Sequence, residues 1–275
     1  MVLKFLFWNV NNKNLTDLIV ELVNEEAIDI VLLAESKEID DIILERKLVS
    51  VTKKPYKSRY ISGQKILLLD NLKNHIARLN EDKRTSSCQY LINNQDILVV
   101  GVHLRDQYSV HSEDLYDLAG QHRELIDKQQ VDKVIVIGDF NMNPYEKGIM
   151  GATGFNAIMS REEIRYNPFR TFGYKQSKFY YNPSWDAYSL SSPNGTYHYN
   201  SNTKALNPYW HLLDQVIISA DLMDCYVEKS FNIVTKIKST ELLKKITSRS
   251  TKLENCIPDK ENYSDHLPII FEMNI

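Results

Sequence analysis

Cysteine, long apolar runs and net charge of either sign are all scarce in this 275-residue chain. The cysteines, Cys88, Cys225 and Cys256, are scattered and form neither a C-x-x-C motif nor a disulfide ladder. We therefore expect the protein to reside in a reducing compartment. A domain linker, a low-complexity tract and a solenoid period are also missing from the sequence, so we predict one domain over residues 1–275.

No stretch approaches the about 18 uninterrupted apolar residues that a transmembrane helix requires. The N-terminal MVLKFLFWNV is apolar, but it is too short for a signal sequence and runs into polar residues rather than a cleavage site. We interpret it as a core strand. We expect a cytoplasmic protein without a membrane span.

The net charge is −3, and charged residues make up 25% of the chain. This composition excludes a nucleic-acid-binding protein that acts through overall positive charge. A polyanionic substrate would have to be held by local basic patches or by a metal ion. The clearest local excess of positive charge lies in residues 228–252, which carry seven Lys or Arg against two Glu.

Hydrophobic residues make up 43% of the chain, which is enough for a sizeable core. Twice along the sequence, a short apolar run is followed by a segment of helical character and then by another apolar run. This order is typical of a β-α-β unit and predicts an α/β fold. The predicted strands and helices cover residues 3–8, 15–23, 28–33, 97–104, 112–129 and 134–137.

Polar residues suited to phosphate ester chemistry lie at the strand ends. In α/β sheets, functional side chains usually lie just past the carboxyl ends of the strands. Asp214 and the Asp265-His266 pair instead precede apolar runs, so they join the same rim if those late strands run antiparallel to the early ones. The candidates are Asn9, Glu35, His103, Asp139, Asn141, Asp214, Asp265 and His266.

The acidic members of this set predict a metal site. A hard cation such as Mg²⁺ binds oxygen ligands, keeps several waters and takes only one or two protein carboxylates. Glu35 is the first choice of ligand, with Asn9 and Asp265 near it. The alternative for Glu35 is an ordinary turn residue or helix cap, and the alternative for Asn9 is a turn residue.

The most specific local motif is GDFN at 138–141. Gly138 would allow a tight turn after a buried strand, and Asp139 and Asn141 would face the same side of an extended segment. Asp139 would orient or deprotonate the attacking water, and Asn141 would donate a hydrogen bond to the phosphate. The alternative is a Gly-Asp turn without a catalytic role.

The second specific motif is Ser-Asp-His at 264–266. His266 would face the phosphate, with Asp214 orienting and charging its imidazole. His103 would contact the phosphate or protonate the leaving oxygen. A lone histidine is more often a surface or core residue, but the neighbouring aspartate favours a functional role for His266.

Other candidate substrate contacts have plain structural alternatives. Residues 165–210 are rich in aromatic side chains, which either stack on bases or pack a loop against the domain. Residues 228–252 either follow a phosphate backbone or form a solvated charged loop. Arg59, Lys65 and Arg84 are further candidate phosphate contacts.

On these residues and motifs, the chain resembles the endonuclease/exonuclease/phosphatase superfamily, which has the DNase-I-like fold. The resemblance runs from FWNV at 7–10 to SDHLP at 264–268 and includes GTY at 195–197. It implies a four-layer α/β/β/α sandwich of two stacked mixed β-sheets flanked by helices. It also implies Mg²⁺-dependent cleavage of phosphate esters, with Mn²⁺ as a substitute cation.

The resemblance further implies a role for each candidate. Glu35 is the principal metal ligand, and His103 is the mid-chain histidine of the deoxyribonuclease and sphingomyelinase branches. Asp139 activates water, and Asn141 binds phosphate. The implied catalytic set is His103, Asp139, Asn141, Asp214 and His266, and the implied metal set is Glu35, Asn9 and Asp265.

The chain also departs from the superfamily pattern. Ala34 stands where the family often has Gln, and a histidine at His103 disfavours the abasic-site endonucleases, which usually have Tyr. Gly63 and Gln64 occupy the segment in which deoxyribonucleases carry a glutamate beside the mid-chain histidine. The segment at 228–262 is longer than a minimal connection and is interpreted as specific to a subgroup.

Our main interpretation is a Mg²⁺-dependent nuclease acting on DNA or RNA. A second hypothesis is a phosphatase or phosphodiesterase acting on a phospholipid head group or a small phosphorylated molecule. A hydrophobic β-hairpin or an amphipathic membrane helix, which a lipid enzyme would use, is not predicted. A third hypothesis is a catalytically inactive scaffold or nucleic-acid-binding protein.

Overall fold

Two mixed β-sheets, one of six strands and one of seven, form the centre of the protein. The computed structural model describes residues 1–73, 75–78, 82–106, 112–190, 193–199, 209–247 and 254–275. Its strands are β1 (Val2–Asn9), β2 (Ile30–Ala34), β3 (Lys57–Ser58), β4 (Ile66–Asp70), β5 (His75–Arg78), β6 (Thr85–Ile92), β7 (Gln95–His103), β8 (Lys133–Asp139), β9 (Ala157–Ile158), β10 (Phe169–Phe172), β11 (Lys175–Lys178), β12 (Tyr180–Tyr181), β13 (Tyr197–Tyr199), β14 (Tyr209–His211), β15 (Asp214–Ser219), β16 (Asn232–Ile233), β17 (Lys236–Ile237), β18 (Thr240–Glu241), β19 (Leu243–Thr247), β20 (Glu254–Pro258) and β21 (Ile269–Asn274).

Helices cover the outer faces of the sheets. In the first long helix, Ile19, Leu22 and Val23 are buried at the spacing of one helix face. In the second, the Asp40 side chain accepts a hydrogen bond from the Ile43 backbone N–H at 2.9 Å and caps the first turn. The helices are α1 (Thr16–Glu25), α2 (Asp41–Thr52), α3 (Ser112–Asp127), α4 (Lys147–Met150), α5 (Arg161–Tyr166) and α6 (Trp185–Leu190).

The six-stranded sheet has the order β16-β21-β1-β2-β4-β3, and the seven-stranded sheet has the order β5-β6-β7-β8-β15-β12-β9. The early pairs β1–β2 and β7–β8 are parallel. The late strands β21 and β15 run antiparallel to β1 and β8. This confirms the predicted direction of the late strands, and it brings their starting residues to the carboxyl ends of the early ones.

Side chains along β7 alternate between two hydrophobic cores, one on each face of the seven-stranded sheet. Ile97 and Val99 face the core between the two sheets, whereas Leu98 and Val100 face a second core beneath α3. The sheets approach closely at Gly101, where an added Cβ would lie 2.7 Å from the Leu32 side chain. The result is the predicted four-layer α/β/β/α sandwich.

Gly138 does not form the turn that was predicted for it, because β8 continues through Asp139. The glycine is needed because Val102 of β7 lies against it: an added Cβ would be 2.0 Å from the Val102 carbonyl oxygen. Gly138 therefore allows β7 and β8 to pair closely just before His103 and Asp139.

We expect Gly138→Ala to destabilise the fold by about 1–3 kcal/mol, because the methyl group must push β7 and β8 apart. The measurement is the midpoint of thermal unfolding, with each kcal/mol worth about 2–4 °C in a chain of this size. A midpoint equal to that of the wild type would contradict the close approach of Val102.

The hairpin β10–β11 carries exposed aromatic side chains at Phe172 and Tyr174, and it was not predicted. Lys178 at its end pairs with Asp132 at 2.7 Å, and Asp132 directly precedes β8. The hairpin therefore lies at the end of the sheet opposite Asp139. Among the described residues, no helix is long and apolar enough to cross a membrane.

Candidate active site at the rim of the two sheets

The candidate residues converge at one rim because the ends of β1, β2, β7 and β8 meet the starts of the antiparallel strands β15 and β21 there. Asn9 ends β1, His103 ends β7 and Asp139 ends β8. In the strand register, His103 is opposite Asp139, and Asp139 is opposite Asp214. The Asn9 amide donates from Nδ2 to the Asp139 carboxylate at 3.2 Å, so the site spans both sheets.

His266 and Asp214 form a buried pair in which Nδ1 lies 2.8 Å from Oδ2. The position of His266 is set by its backbone. Its N–H donates to the Ser264 hydroxyl at 3.1 Å, and its carbonyl accepts from Trp8 Nε1 at 3.0 Å. The backbone N–H of Asp214 donates to Thr196 Oγ1 at 3.2 Å, which anchors the other partner.

The His266 imidazole is held in its charged form. Burial lowers its pKa, but the Asp214 and Asp139 carboxylates outweigh burial and raise it to about 10. The ring therefore carries a fixed positive charge at neutral pH. Its Nε2 faces Asp139, 3.9 Å from Oδ2.

Asp139 is buried in the centre of the site. Its Oδ1 accepts from the Asn141 backbone N–H at 2.9 Å, and its Oδ2 accepts from Asn9. Burial raises the pKa of Asp139 to about 7, with His266 opposing this shift and Asp214 adding to it. A carboxyl group with a pKa near neutrality suits proton transfer at neutral pH.

Glu35 follows β2 in a left-handed backbone conformation, with φ of 49°. Asn9 Nδ2 donates to Glu35 Oε1 at 3.3 Å, and Asn12 Nδ2 donates to Oε2 at 3.0 Å. Two amides therefore orient a half-buried carboxylate that opens to the cleft. A non-glycine residue in this conformation costs free energy, and such strain is concentrated at functional sites.

His103 lies between the acidic groups, with Nε2 3.5 Å from Glu35 Oε1 and 3.8 Å from Asp139 Oδ2. Burial, together with the positive charges of Arg84 and His266, lowers the pKa of His103 to about 3. The ring is neutral at neutral pH. Of its two predicted roles, this favours a hydrogen bond to the phosphate over protonation of the leaving oxygen.

Asn141 and Asp265 both line the same cleft as Asp139 and His266. Asn141 adopts a left-handed conformation with φ of 52°, so it is not in the extended segment that was predicted. Its Nδ2 donates to the Leu104 carbonyl at 3.0 Å, which fixes the amide at the cleft wall. Asp265 is half-buried at the mouth.

The oxygen atoms of this rim fit a hard divalent cation. Asp139, Asp214 and His266 each place one ligand atom within 4.8 Å of the others. Because His266 Nδ1 already binds Asp214, we interpret those two as an ion pair beside the cation rather than as its ligands. Glu35 opens to the cleft, and Asn12 Oδ1 is buried without a hydrogen-bond partner among the described residues.

We expect millimolar Mg²⁺ to raise the unfolding midpoint, because a cation that binds only the folded state stabilises it by RT ln(1 + [Mg²⁺]/Kd). Glu35→Gln should reduce the rise, whereas Glu124→Gln on the exposed face of α3 should leave it intact. Melting curves with Mg²⁺, with Mn²⁺ and with EDTA measure the effect. Superimposable curves for the wild type would count against a cation at Glu35.

Sequence analysis missed Asn12, Tyr197 and the anchoring role of Ser264. Asn12 stands in an Asn-rich turn with no distinctive spacing. The Tyr197 and His266 ring centroids lie 4.7 Å apart, because Tyr197 of β13 forms an antiparallel β-bridge with His266 itself. Ser264 belongs to the Ser-Asp-His motif, but its hydroxyl binds backbone groups that the sequence does not place near it. It donates a hydrogen bond to the Asn9 carbonyl at 2.6 Å.

Two of the three basic residues that were predicted to contact phosphate lie at the site. Lys65 and Arg84 line the cleft, and the Arg84 guanidinium donates to the His103 carbonyl at 3.2 Å. The prediction for Arg59 is wrong. Its guanidinium binds the buried carboxylate of Asp70 through Nε at 2.8 Å and Nη2 at 3.0 Å.

The basic stretch at 228–252 is largely neutralised by ion pairs, which favours the charged-loop alternative. Its hairpins β17–β18 and β19–β20 carry four lysines whose ammonium groups reach carboxylates within 2.8–3.6 Å. Of the other three basic residues, Lys229 forms no ion pair among the described residues, and Arg249 and Lys252 lie outside them. The pairs are Lys236–Glu241, Lys238–Glu21, Lys244–Glu261 and Lys245–Glu254.

Together the two stacked sheets and the acidic, histidine-containing rim define a DNase-I-like architecture. Solved structures of the endonuclease/exonuclease/phosphatase family share this fold. A protein of that family from Bacteroides thetaiotaomicron superposes with a TM-score of 0.56 at 12% identity, covering 99% of this chain and 97% of that one. Neither the protein-family models nor the curated proteins that were compared match the chain.

Two further structures extend the fold comparison. An AP endonuclease from Archaeoglobus fulgidus gives a TM-score of 0.54 at 13% identity, with coverage of 99% and 100% of the two chains. TDP2 from D. rerio, complexed with a single-strand DNA product, gives a TM-score of 0.51 at 12% identity, with coverage of 100% and 99%. At these identities the likeness establishes the fold.

Proposed function

We propose that this protein is a divalent-metal-dependent phosphodiesterase that hydrolyses nucleic acid. The observation that carries the proposal is the convergence of a charged His266–Asp214 pair, a buried Asp139 and an open Glu35 within one cleft. This set supplies positive charge, a proton acceptor and oxygen ligands around one point. Hydrolysis of a phosphate ester requires all three.

Each residue has a distinct part in the proposed reaction. Asp139 accepts the proton of the attacking water, and Asn9 holds the carboxylate in place for this transfer. His266 donates a charge-assisted hydrogen bond to a phosphate oxygen and stabilises the negative charge that develops there. Asn141 and His103 provide neutral hydrogen bonds to the same group.

Glu35 would hold the divalent cation, with Asn12 beside it and Asp265 at the mouth of the cleft. When bound, Mg²⁺ or Mn²⁺ polarises a phosphate oxygen and offsets the charge that repels the nucleophile. A bound cation would also offset the mutual repulsion of the carboxylates at this rim. These carboxylates belong to Glu35, Asp139, Asp214 and Asp265.

Two observations support nucleic acid as the substrate. Lys65 and Arg84 line the cleft, where a phosphate backbone would pass. Proteins of this fold include an AP endonuclease and a TDP2 that was solved with single-strand DNA. The exposed aromatic hairpin offers little support for a lipid substrate, because Phe172 and Tyr174 lie at the end of the sheet opposite the cleft.

The test is a gel of supercoiled plasmid and of single-stranded DNA and RNA oligonucleotides incubated with the protein and Mg²⁺. Parallel lanes contain EDTA or the Asp139→Asn variant. We expect cleavage that requires both the cation and Asp139. If every nucleic acid stays intact while a small phosphomonoester is hydrolysed, the phosphatase hypothesis replaces the nuclease. If no phosphate ester is cleaved, the inactive-scaffold hypothesis replaces both.

A further inference from the structure

A cavity of about 550 Å³ opens directly beside the catalytic cleft, on the side of β2 and α2. It shares the lining residues Glu35, Lys65 and His103 with the cleft, so the two spaces are adjacent. Its volume falls within the about 300–1,000 Å³ that is typical of sites for small ligands. A substrate group attached to the reacting phosphate can therefore extend into it.

The walls of this cavity suit a flat ring. Ile39 and Leu67 supply apolar surface, and Tyr60 adds an aromatic ring whose residue is 44% exposed. A nucleobase has two apolar faces and a polar edge, and it stacks on exposed aromatic rings. Ser36 and Asp41 line the same cavity and offer hydroxyl and carboxylate groups to the polar edge of a base.

Two lysines that form no ion pair among the described residues line the cavity. Lys37 and Lys65 line it, and neither ammonium forms an ion pair with a carboxylate in the part of the chain that the structure describes. The lysines of the hairpins β17–β18 and β19–β20 are paired, as described above. Burial lowers the pKa of Lys65, and the positive charges of Arg84 and Lys37 contribute to this shift, whereas Glu35 opposes it. A phosphate between Lys37 and Lys65 would relieve the repulsion between these two ammonium groups.

We propose that this cavity is a subsite for one unpaired nucleotide that adjoins the scissile phosphate. The base lies against Tyr60, and the phosphate of that nucleotide lies between Lys37 and Lys65. The proposal deepens the nuclease function and rests on it. A base in a duplex cannot enter such a cavity without leaving its partner strand, so the subsite selects single-stranded or frayed nucleic acid.

The first test measures binding without cleavage. Single-stranded oligonucleotides carrying 2-aminopurine at successive positions are titrated with the protein in EDTA. We expect fluorescence quenching to depend on label position, since only one base stacks on Tyr60. Tyr60→Ala should weaken binding by about tenfold or more, and Tyr60→Phe should bind as the wild type does.

Tyr174→Ala is the matched control, because Tyr174 is also an exposed tyrosine but lies on the hairpin at the opposite end of the sheet. It should leave binding unchanged. A fully paired duplex of the same sequence should bind more weakly than the single strand. Equal affinity for duplex and single strand, or a Tyr60→Ala variant that binds like the wild type, would overturn the subsite.

The second test separates the subsite from the catalytic function. The two substrates are a single-stranded oligonucleotide and the same oligonucleotide with one abasic nucleotide at the position that the binding experiment assigns to the subsite. With Mg²⁺, Tyr60→Ala should cleave the intact oligonucleotide at least about tenfold more slowly than the wild type does, and the two proteins should differ much less on the abasic one, which has no base to stack on Tyr60. An equal loss on both substrates would assign Tyr60 to the fold and overturn the subsite. If the wild type cleaves neither substrate, the nuclease proposal fails, and the binding experiment still decides the subsite.

Discussion

Asp139→Asn is expected to lower the rate of phosphodiester cleavage by about 10²- to 10⁴-fold, the usual contribution of a general base. The substitution preserves the shape of the side chain, and one oxygen can still accept from the Asn141 backbone N–H. It removes the proton acceptor and places an amide group where Asn9 now donates. Single-turnover cleavage of a labelled oligonucleotide at saturating Mg²⁺ measures the effect on the chemical step.

The matched control is Asp132→Asn, which changes an exposed aspartate at the opposite end of the same strand region. Its cleavage rate should equal that of the wild type. Thermal unfolding of Asp139→Asn should show a folded protein, since the buried volume is kept. A rate within about fivefold of the wild type would show that Asp139 is not the proton acceptor, because this is far below the expected general-base effect.

Asp214→Asn is expected to lower the cleavage rate at pH 8 by about 10²- to 10³-fold, the effect of losing one charged hydrogen-bond donor to the developing oxyanion. Asp214 is the nearest partner that keeps His266 charged against the effect of burial. Without this carboxylate, only Asp139 and Asp265 oppose burial, so we expect the pKa of the imidazole to fall towards its ordinary value and the ring to be neutral at pH 8. The remaining activity should fall as the pH rises through about 6–7, near the ordinary pKa of histidine.

The wild type should show no such fall below about pH 10, which is the pKa of its His266. The same pair affects stability. Since the folded-state pKa lies above the unfolded value of 6.5, the stabilisation is fully present below pH 6.5 and is lost as the pH rises through about 10. Rate and unfolding profiles from pH 5.5 to 10, roughly the span of these two pKa values, measure both effects.

A double variant tests whether Asp214 acts only through its pairing with His266 or also has a role of its own. If His266 and Asp214 act as a unit, His266→Gln combined with Asp214→Asn should be no slower than His266→Gln alone. Additive losses would instead assign Asp214 a role of its own, such as holding the cation through its Oδ1, which has no hydrogen-bond partner among the described residues.

Local patterns in the sequence were sufficient for the α/β architecture. Apolar runs marked β1, β2, β7 and β8 to within about two residues, the usual uncertainty of element ends. The GDFN motif marked the candidate site residues at the end of β8, and the SDH motif marked those that precede β21. Sequence patterns could find them because a strand and its flanking polar residues are adjacent in the chain. Local patterns failed at Gly138, whose role depends on a carbonyl from the neighbouring strand.

What the sequence by itself determined is the set of candidate polar residues and the strands that they flank, since both depend on short-range patterns along the chain. Only the tertiary structure decided which of them meet. The pairing of Asp214 with His266, the neutral state of His103 and the neutralised lysines of residues 228–252 all depend on strand register, burial and partners far away in the chain. The cavity beside Glu35 has the same origin, because the loop after β2, the start of α2, the segment before β4, β4 itself and the end of β7 each supply one part of its wall.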